Sequence, residues 1–571
     1  MKEEIKKQLA LVLEEFGIEG VNPVVEYPGD KKNGDYSSNV ALIVAKKLGK
    51  NPRVLGEEIA QKLQGEPLDS QGIFDRIEVA GAGFINFWVS NEKLLDVLRN
   101  PHEILKQVQD DNKGRKVVVE YSSPNIAKPF TVGHLRSTII GDAVANLLQA
   151  TGWEVHRDNH LGDWGTQFGK QIYAIKQWGN EEEIENSDRP VKLLVYLYVK
   201  FHEEAEKQPE LNDEARTWFK KLEDGDEEAR RLWRRCIDWS WREFEGIYKQ
   251  LGVTFTENNG RGYGESFFED KMSPIVKELE EKGLLKEGEE GAKLVFFSGN
   301  KYPPLMILKK DGSTLYATRD LATDKFRKEN YGEDIVVINE IGGEQSLYMQ
   351  QIFEVEKLLG WYKEGQRVHV KHGLFRFKEG KMSTRKGNVV WLEDVLIEAE
   401  KRAGELGGLE GQEGLEIAKM VASGAIKWND LKRDSKQDIV FDWDDILNMQ
   451  GNSGPYMQYA FVRTQSILAK AEERSSLQPT TYNLQPEERD LLLLLSQFSE
   501  IMEEAANRFA PSILCTYLFE LAQSFNLFYQ KHQILKAEGD ARNLRLTITD
   551  ATGKVIKQGL GLLGITPPDR M

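Results

Sequence analysis

Cysteine is nearly absent. Cys236 and Cys515 are the two in 571 residues, too few for a disulfide framework or a cysteine-rich zinc site. No apolar run approaches the ~18–20 residues that span a bilayer. The opening Met1-Lys-Glu-Glu-Ile-Lys-Lys mixes both charge signs, which no secretory signal does. These absences predict a cytoplasmic chain with no zinc and no membrane partner. Basic residues are also in deficit, 76 Lys/Arg against 92 Asp/Glu for a net charge of −16, where a nucleic-acid partner usually meets a basic surface. Half of that excess, however, lies in residues 181–230, which hold 16 acids and 8 bases. Net charge therefore does not exclude a nucleic acid. No internal repeat or low-complexity tract is present.

At this length one hydrophobic core is not enough, and three or more domains are expected. Residues 1–112 read as an α/β unit: Ile5, Leu9, Val12 and Phe16 line a helix, Gly34 to Asn39 is a turn, and Asn51-Pro52 starts a further helix. Phe74–Val79 and Phe84–Val89 read as paired strands. Residues 113–395 read as a parallel α/β unit, with strands expected at Val117–Val119, Glu154–Asp158, Leu315–Asp320, Asp334–Asn339 and Val368–His372. A polar, mostly helical insertion occupies about 181–290. From Trp391 the pattern turns helical, giving an all-α unit over 396–571.

The most informative stretch is residues 115–142. A β-branched strand runs into a loop broken by Pro124 and Pro129, and from Gly133 the apolar residues Leu135, Ile139, Ile140, Ala143 and Leu147 recur at helical spacing. In a doubly wound sheet such a loop lies at the carboxyl edge, where ligands bind. The helix start offers unpaired N–H groups and a positive dipole end, suited to phosphate. Gly133 admits close approach, His134 can donate to a phosphate oxygen, and Lys128 adds charge.

Ser122, Pro124, Asn125, Lys128, Pro129, Gly133, His134, Leu135, Arg136, Thr138, Gly141 and Asp142 resemble the HIGH region of class I aminoacyl-tRNA synthetases, in the form used by the arginyl-tRNA synthetase family. Thr131 departs from it, standing where the family's first histidine sits. Threonine can hydrogen-bond a phosphate but cannot carry positive charge. About 250 residues on, Lys381-Met-Ser-Thr-Arg-Lys-Gly-Asn388 resembles the KMSK loop, with Thr384 in the usual second-lysine place. Clustered cations are what a leaving pyrophosphate needs. The resemblance gives Lys381 the main part, Ser383 and Lys386 assisting and Met382 beside the ATP.

The same resemblance implies a Rossmann-like catalytic core, an α/β N-terminal domain and an all-α anticodon-binding domain of DALR type. Its expected partners are L-arginine, ATP as its Mg2+ complex and tRNA(Arg), handled by a monomer with no resident metal. Arginine demands a carboxylate that meets its planar fork, a demand lysine cannot fill. By resemblance that carboxylate is Asp320, with Tyr316 walling the pocket and Glu120, Ser123, Asn125 and Gln345 around the substrate. Phe84 and Asn86 match N-terminal tRNA contacts. Tyr456, Tyr459 and Arg463 share a helical face suited to stacking unpaired bases, or equally to helix packing, and Met571 would lie near the anticodon.

Overall fold

The structure is a computed structural model that describes residues 1–64, 72–99, 112–288, 291–377, 390–408, 410–471 and 483–571. By its contacts the chain divides into two units. One comprises Met1–Val108, Ala460–Glu504 and Thr516–Gly559, the other Gln109–Tyr459, Ala505–Cys515 and Leu560–Met571.

The first unit holds an antiparallel sheet in the order Val25–Glu26, Tyr36–Ser38, Phe84–Val89, Phe74–Ala80. Tyr36–Ser38, expected as a turn, pairs with Ile85–Phe87, so its Tyr36 ring can enter the core. The helix Pro52–Leu63 begins as its sequence predicts: the Asn51 side chain accepts from the N–H groups of Arg53 and Val54, and Pro52 occupies the first turn. Glu500, on the helix Pro486–Asn507, takes the Met1 ammonium at 2.8 Å and the Tyr27 hydroxyl at 2.7 Å. Arg489 of the same helix pairs with Asp35 at 2.7 Å.

The second unit is built on a four-stranded, wholly parallel sheet ordered Arg367–His372, Val336–Gly342, Lys116–Glu120, Glu154–Asp158. Each inner strand carries a run of three apolar residues, Val117–Val119 and Val336–Ile338, as strands buried on both faces do. Val117, Val118, Val119, Val337 and Ile338 are all completely buried. Register sets Glu120 beside both Asp158 and Asn339, and Gly342 beside His372. Polar and charged side chains are thereby gathered at one carboxyl edge.

The segment Leu315–Asp320, expected as a further strand, instead opens the helix Tyr316–Tyr331. Ala317, Leu321 and Ala322 are its buried face, a helical spacing that the β-branched Thr318 masked. A separate antiparallel sheet of Leu285–Glu287, Lys293–Val295 and Leu305–Leu308 precedes it. The 181–290 region is helical through Glu181–Asn186, Pro190–Lys207, Leu211–Glu223, Glu227–Leu251 and Met272–Glu281. No helix among the described residues is long and apolar enough to cross a membrane.

Candidate active site

A cleft of about 500 Å³ opens at the carboxyl edge of the parallel sheet. Glu120, Ser123, Asn125, Thr131, Gly133, His134, Asp320 and Gln345 all line it. Tyr316 stands behind this wall, its ring 4.9 Å from that of Tyr348, whose hydroxyl donates to Asp320. Lys128 is half-buried and outside the lining, near enough to depress the ionisation of His134. Lys381, Met382, Ser383 and Lys386 lie outside the described residues.

The loop after Lys116–Glu120 takes an unusual path. Ser122, Ser123 and Ala127 have φ of 75°, 45° and 57°, a left-handed conformation that costs a side-chain-bearing residue about 1–2 kcal/mol. Three pegs hold it. The Ser122 N–H donates to Ser137 Oγ at 2.9 Å, that of Ser123 to Asn159 Oδ1 at 3.0 Å and that of Ala127 to Ser240 Oγ at 3.0 Å. The pegs on Ser122 and Ala127 satisfy backbone donors that the loop would otherwise bury, and the Ser123 N–H is shared with the Tyr121 carbonyl at 3.1 Å. Gly162 meets the loop closely enough that a Cβ there would lie 2.5 Å from Asn125 Oδ1.

The helix Val132–Ala150 follows, with Thr131 at its N-cap. His134 Nδ1 accepts the Thr131 backbone N–H at 3.1 Å, which leaves the ring proton on Nε2. Burial pushes the imidazole down to about 4, so it is neutral at physiological pH. Phe130 packs edge-on against it at 5.5 Å. One turn on, Arg136 anchors the helix: it forks onto Asp430 and donates to the carbonyls of Gly373, Ser435 and Gln437. Gly141 packs so tightly that a Cβ there would lie 2.2 Å from Tyr121 Cβ.

At the other end carboxylates converge. Arg327 is fully buried and bridges Glu120 at 2.5 Å, Asp158 at 2.8 Å and Asp324 at 3.1 Å. Burial alone would raise Glu120, but Arg327 and His160 outweigh it and hold the carboxyl at about 2. Asp320 has no such guanidinium. Among the described residues no lysine or arginine pairs with it, and burial pushes it up to about 6 against the pull of His160 and the Tyr348 hydroxyl. His160 moves the opposite way from a simple buried imidazole: Glu120 and Asp320 overcome its burial and raise it.

Sequence reasoning missed Arg327, Tyr348, Glu340 and His372 as lining or supporting residues. Asp320, Asp324 and Arg327 recur at helical spacing, so the signal existed, hidden by reading 315–320 as a strand.

The other expected contacts are placed as follows. Phe84 is 44% exposed, whereas Asn86 is buried, its side-chain oxygen accepting from Ser37 Oγ at 2.8 Å. Tyr459 and Met571 come together in an apolar pocket of about 120 Å³ with Leu447, Met449 and Pro455. Tyr456 is half-buried, and the Arg463 guanidinium donates to Asn526. Among the described residues no group of three or more His, Cys, Asp or Glu is arranged to hold a metal ion.

Residues 95–443 match the family model for the catalytic domain of class I tRNA synthetases (R). Residues 1–89 match the arginyl tRNA synthetase N-terminal domain, and 457–571 the DALR anticodon-binding domain. The chain is 42% identical to an arginine–tRNA ligase of Clostridium kluyveri and 39% to one of Halothermothrix orenii, each alignment covering 100% of this chain and 99% of the relative. The solved arginyl-tRNA synthetase of Thermus thermophilus superposes with a TM-score of 0.82 at 25% identity, covering all of both chains. That of Plasmodium falciparum gives the same score and identity over 100% of this chain and 99% of its own. With its sheet edge, its Gly133-His134 helix start and relatives this similar from end to end, the chain belongs to the arginine–tRNA ligases of class I.

Proposed function

We propose that the cleft holds arginine at its Asp320 end and ATP, as its Mg2+ complex, at its His134 end. As an arginine–tRNA ligase the chain activates arginine with ATP and passes it to tRNA. An oxygen of the arginine carboxylate attacks the α-phosphorus, the bond to the β-phosphate breaks, and pyrophosphate leaves. The hydroxyl of the tRNA's terminal adenosine then attacks the activated carbonyl and AMP departs. Little covalent work falls to the protein, so positioning and charge carry the rate.

The observation that supports this assignment is Asp320: a buried carboxylate raised to about 6, beside three others already paired with Arg327. An incoming guanidinium is the group that relieves it, by two parallel N–H donations. Ser123, Asn125, Gln345 and Tyr316 shape that end, and Glu120 holds Arg327 in place beside the substrate. At the other end neutral His134 donates from Nε2 to a phosphate oxygen, with Gly133 giving access to the helix N-terminus and Thr131 capping it. Lys128 adds positive charge nearby, and the Lys381, Ser383 and Lys386 loop, with Met382, is assigned to the leaving pyrophosphate by resemblance. Tyr459 and Met571 are assigned to an anticodon base, with Tyr456 and Arg463 on the same helix and Phe84 and Asn86 at the N-terminal contact. The chain is taken to act as a monomer in the cytoplasm.

ATP–pyrophosphate exchange and aminoacylation with total tRNA test the reading. Arginine-dependent exchange that requires tRNA is expected. Exchange driven by lysine rather than arginine would overturn the substrate assignment, and equal rates without tRNA would remove the tRNA requirement.

A further inference from the structure

The wall of the cleft is acidic for a site that takes a triphosphate: Glu120, Glu265, Asp320, Asp324, Glu340 and Glu344 all line it. Among the described lining residues the basic side chains are Arg136, Arg327, His134, His160 and His372. Arg136 is consumed by Asp430 and three carbonyls, and Arg327 by three carboxylates. His134 is neutral through burial. His160 belongs to the acidic end, its charge set by Glu120 and Asp320 and its Nδ1 3.1 Å from the Tyr263 carbonyl.

His372 remains. It ends the edge strand, and its Nδ1 lies 2.8 Å from Oε1 of Glu340 on the adjacent strand. The Glu340 side chain is 0% exposed and that of His372 14%. Glu340 Oε2 is buried with no hydrogen-bond partner among the described residues, so the carboxylate's charge is not spread over other donors. A carboxylate on Nδ1 fixes the ring and its tautomer, leaving Nε2 to act on a ligand. The groups facing His372 are Glu340 and Asp430, which favour its charged form, and Arg136, which opposes it; the acids outweigh Arg136 and the ring's burial. His134 feels the result, since His372 helps to depress it.

We propose that His372, fixed by Glu340, is a nucleotide-binding residue of this chain, its Nε2–H donating to a phosphate oxygen of ATP at the His134 end of the cleft. It supplies there the cation that Thr131 cannot. Glu340 is a positioning residue that acts through His372. The inference rests on the assignment of the cleft to ATP and arginine.

The test is ATP–pyrophosphate exchange with arginine and tRNA present, measured from about pH 6 to 9 for the unaltered protein, His372→Gln, His372→Lys and Glu340→Gln. A charge-assisted hydrogen bond lost predicts an ATP KM about tenfold higher in His372→Gln, with the arginine KM unmoved. In the unaltered protein the ATP KM climbs as pH rises through the His372 ionisation, above its ordinary 6.5. Glu340→Gln moves that climb to lower pH, and His372→Lys moves it to higher pH. An unmoved ATP KM in His372→Gln, or an unmoved pH profile in Glu340→Gln, overturns the proposal. Should His372→Gln melt below assay temperature, the Glu340→Gln profile decides alone. Absence of arginine-dependent exchange in the unaltered protein would instead overturn the assignment of the cleft, and this inference with it.

Discussion

Replacing Asp320 with asparagine separates binding from stability, because one carboxylate serves the two with opposite sign. Burial raises Asp320 from 3.8 to about 6. At about 1.36 kcal/mol per pH unit, the ionised carboxylate costs the arginine-free protein roughly 3 kcal/mol above pH 6. The folded state binds the extra proton between these two values, so stability falls as pH rises across that window. Asp320→Asn keeps an oxygen for the Tyr348 hydroxyl and removes the charge. Its melting temperature without arginine should therefore exceed that of the unaltered protein at pH 7.5, and the advantage should vanish below about pH 4. Binding goes the other way. Removing one partner of a buried ion pair costs about 3–5 kcal/mol, or roughly two to nearly four orders of magnitude in kcat/KM for arginine. A third measurement is independent of both. Arginine binding pulls the Asp320 ionisation down, so at pH 6 it should release about half a proton, seen by calorimetry in buffers of different ionisation heat. A variant that retains kcat/KM for arginine within a few-fold, or releases the same proton, refutes the reasoning.

Three further outcomes follow from other parts of the molecule. Thr131→His should leave exchange turnover within a few-fold, because the backbone N–H of residue 131, which orients His134 together with the threonine hydroxyl, survives the replacement; a large gain would show that the threonine limits the rate. Gly141→Ala forces a methyl against Tyr121 and should destabilise by about 1–3 kcal/mol or more, read as a lower denaturant midpoint. Tyr459→Ala should lower kcat/KM for tRNA about tenfold through lost base stacking while the ATP KM holds, and an unchanged tRNA dependence would withdraw the residue from the anticodon contact.

Much of the catalytic sheet was legible because parallel strands buried on both faces leave short β-branched runs, as at Val117–Val119. The HIGH-like loop was legible as a motif, but its left-handed Ser122, Ser123 and Ala127 were not, since no glycine advertises them. The helix at Tyr316 was misread because six residues are too few to separate periods of two and 3.6. That error also hid Arg327, two turns along the same helical face as Asp320. His372 and Glu340 were invisible for a different reason. They lie 32 residues apart, and only the parallel register makes them neighbours.

Arg327 has a consequence for selectivity that is one of counting. Three carboxylates in this corner are held by a guanidinium that cannot diffuse away, whatever the concentration of free arginine. Of the four carboxylates gathered here, Asp320 is the one that a soluble guanidinium compound meets without a guanidinium partner already on it among the described residues. Tethering one copy of the substrate's own head group in the wall occupies three of the four carboxylates and leaves Asp320 to read the incoming one.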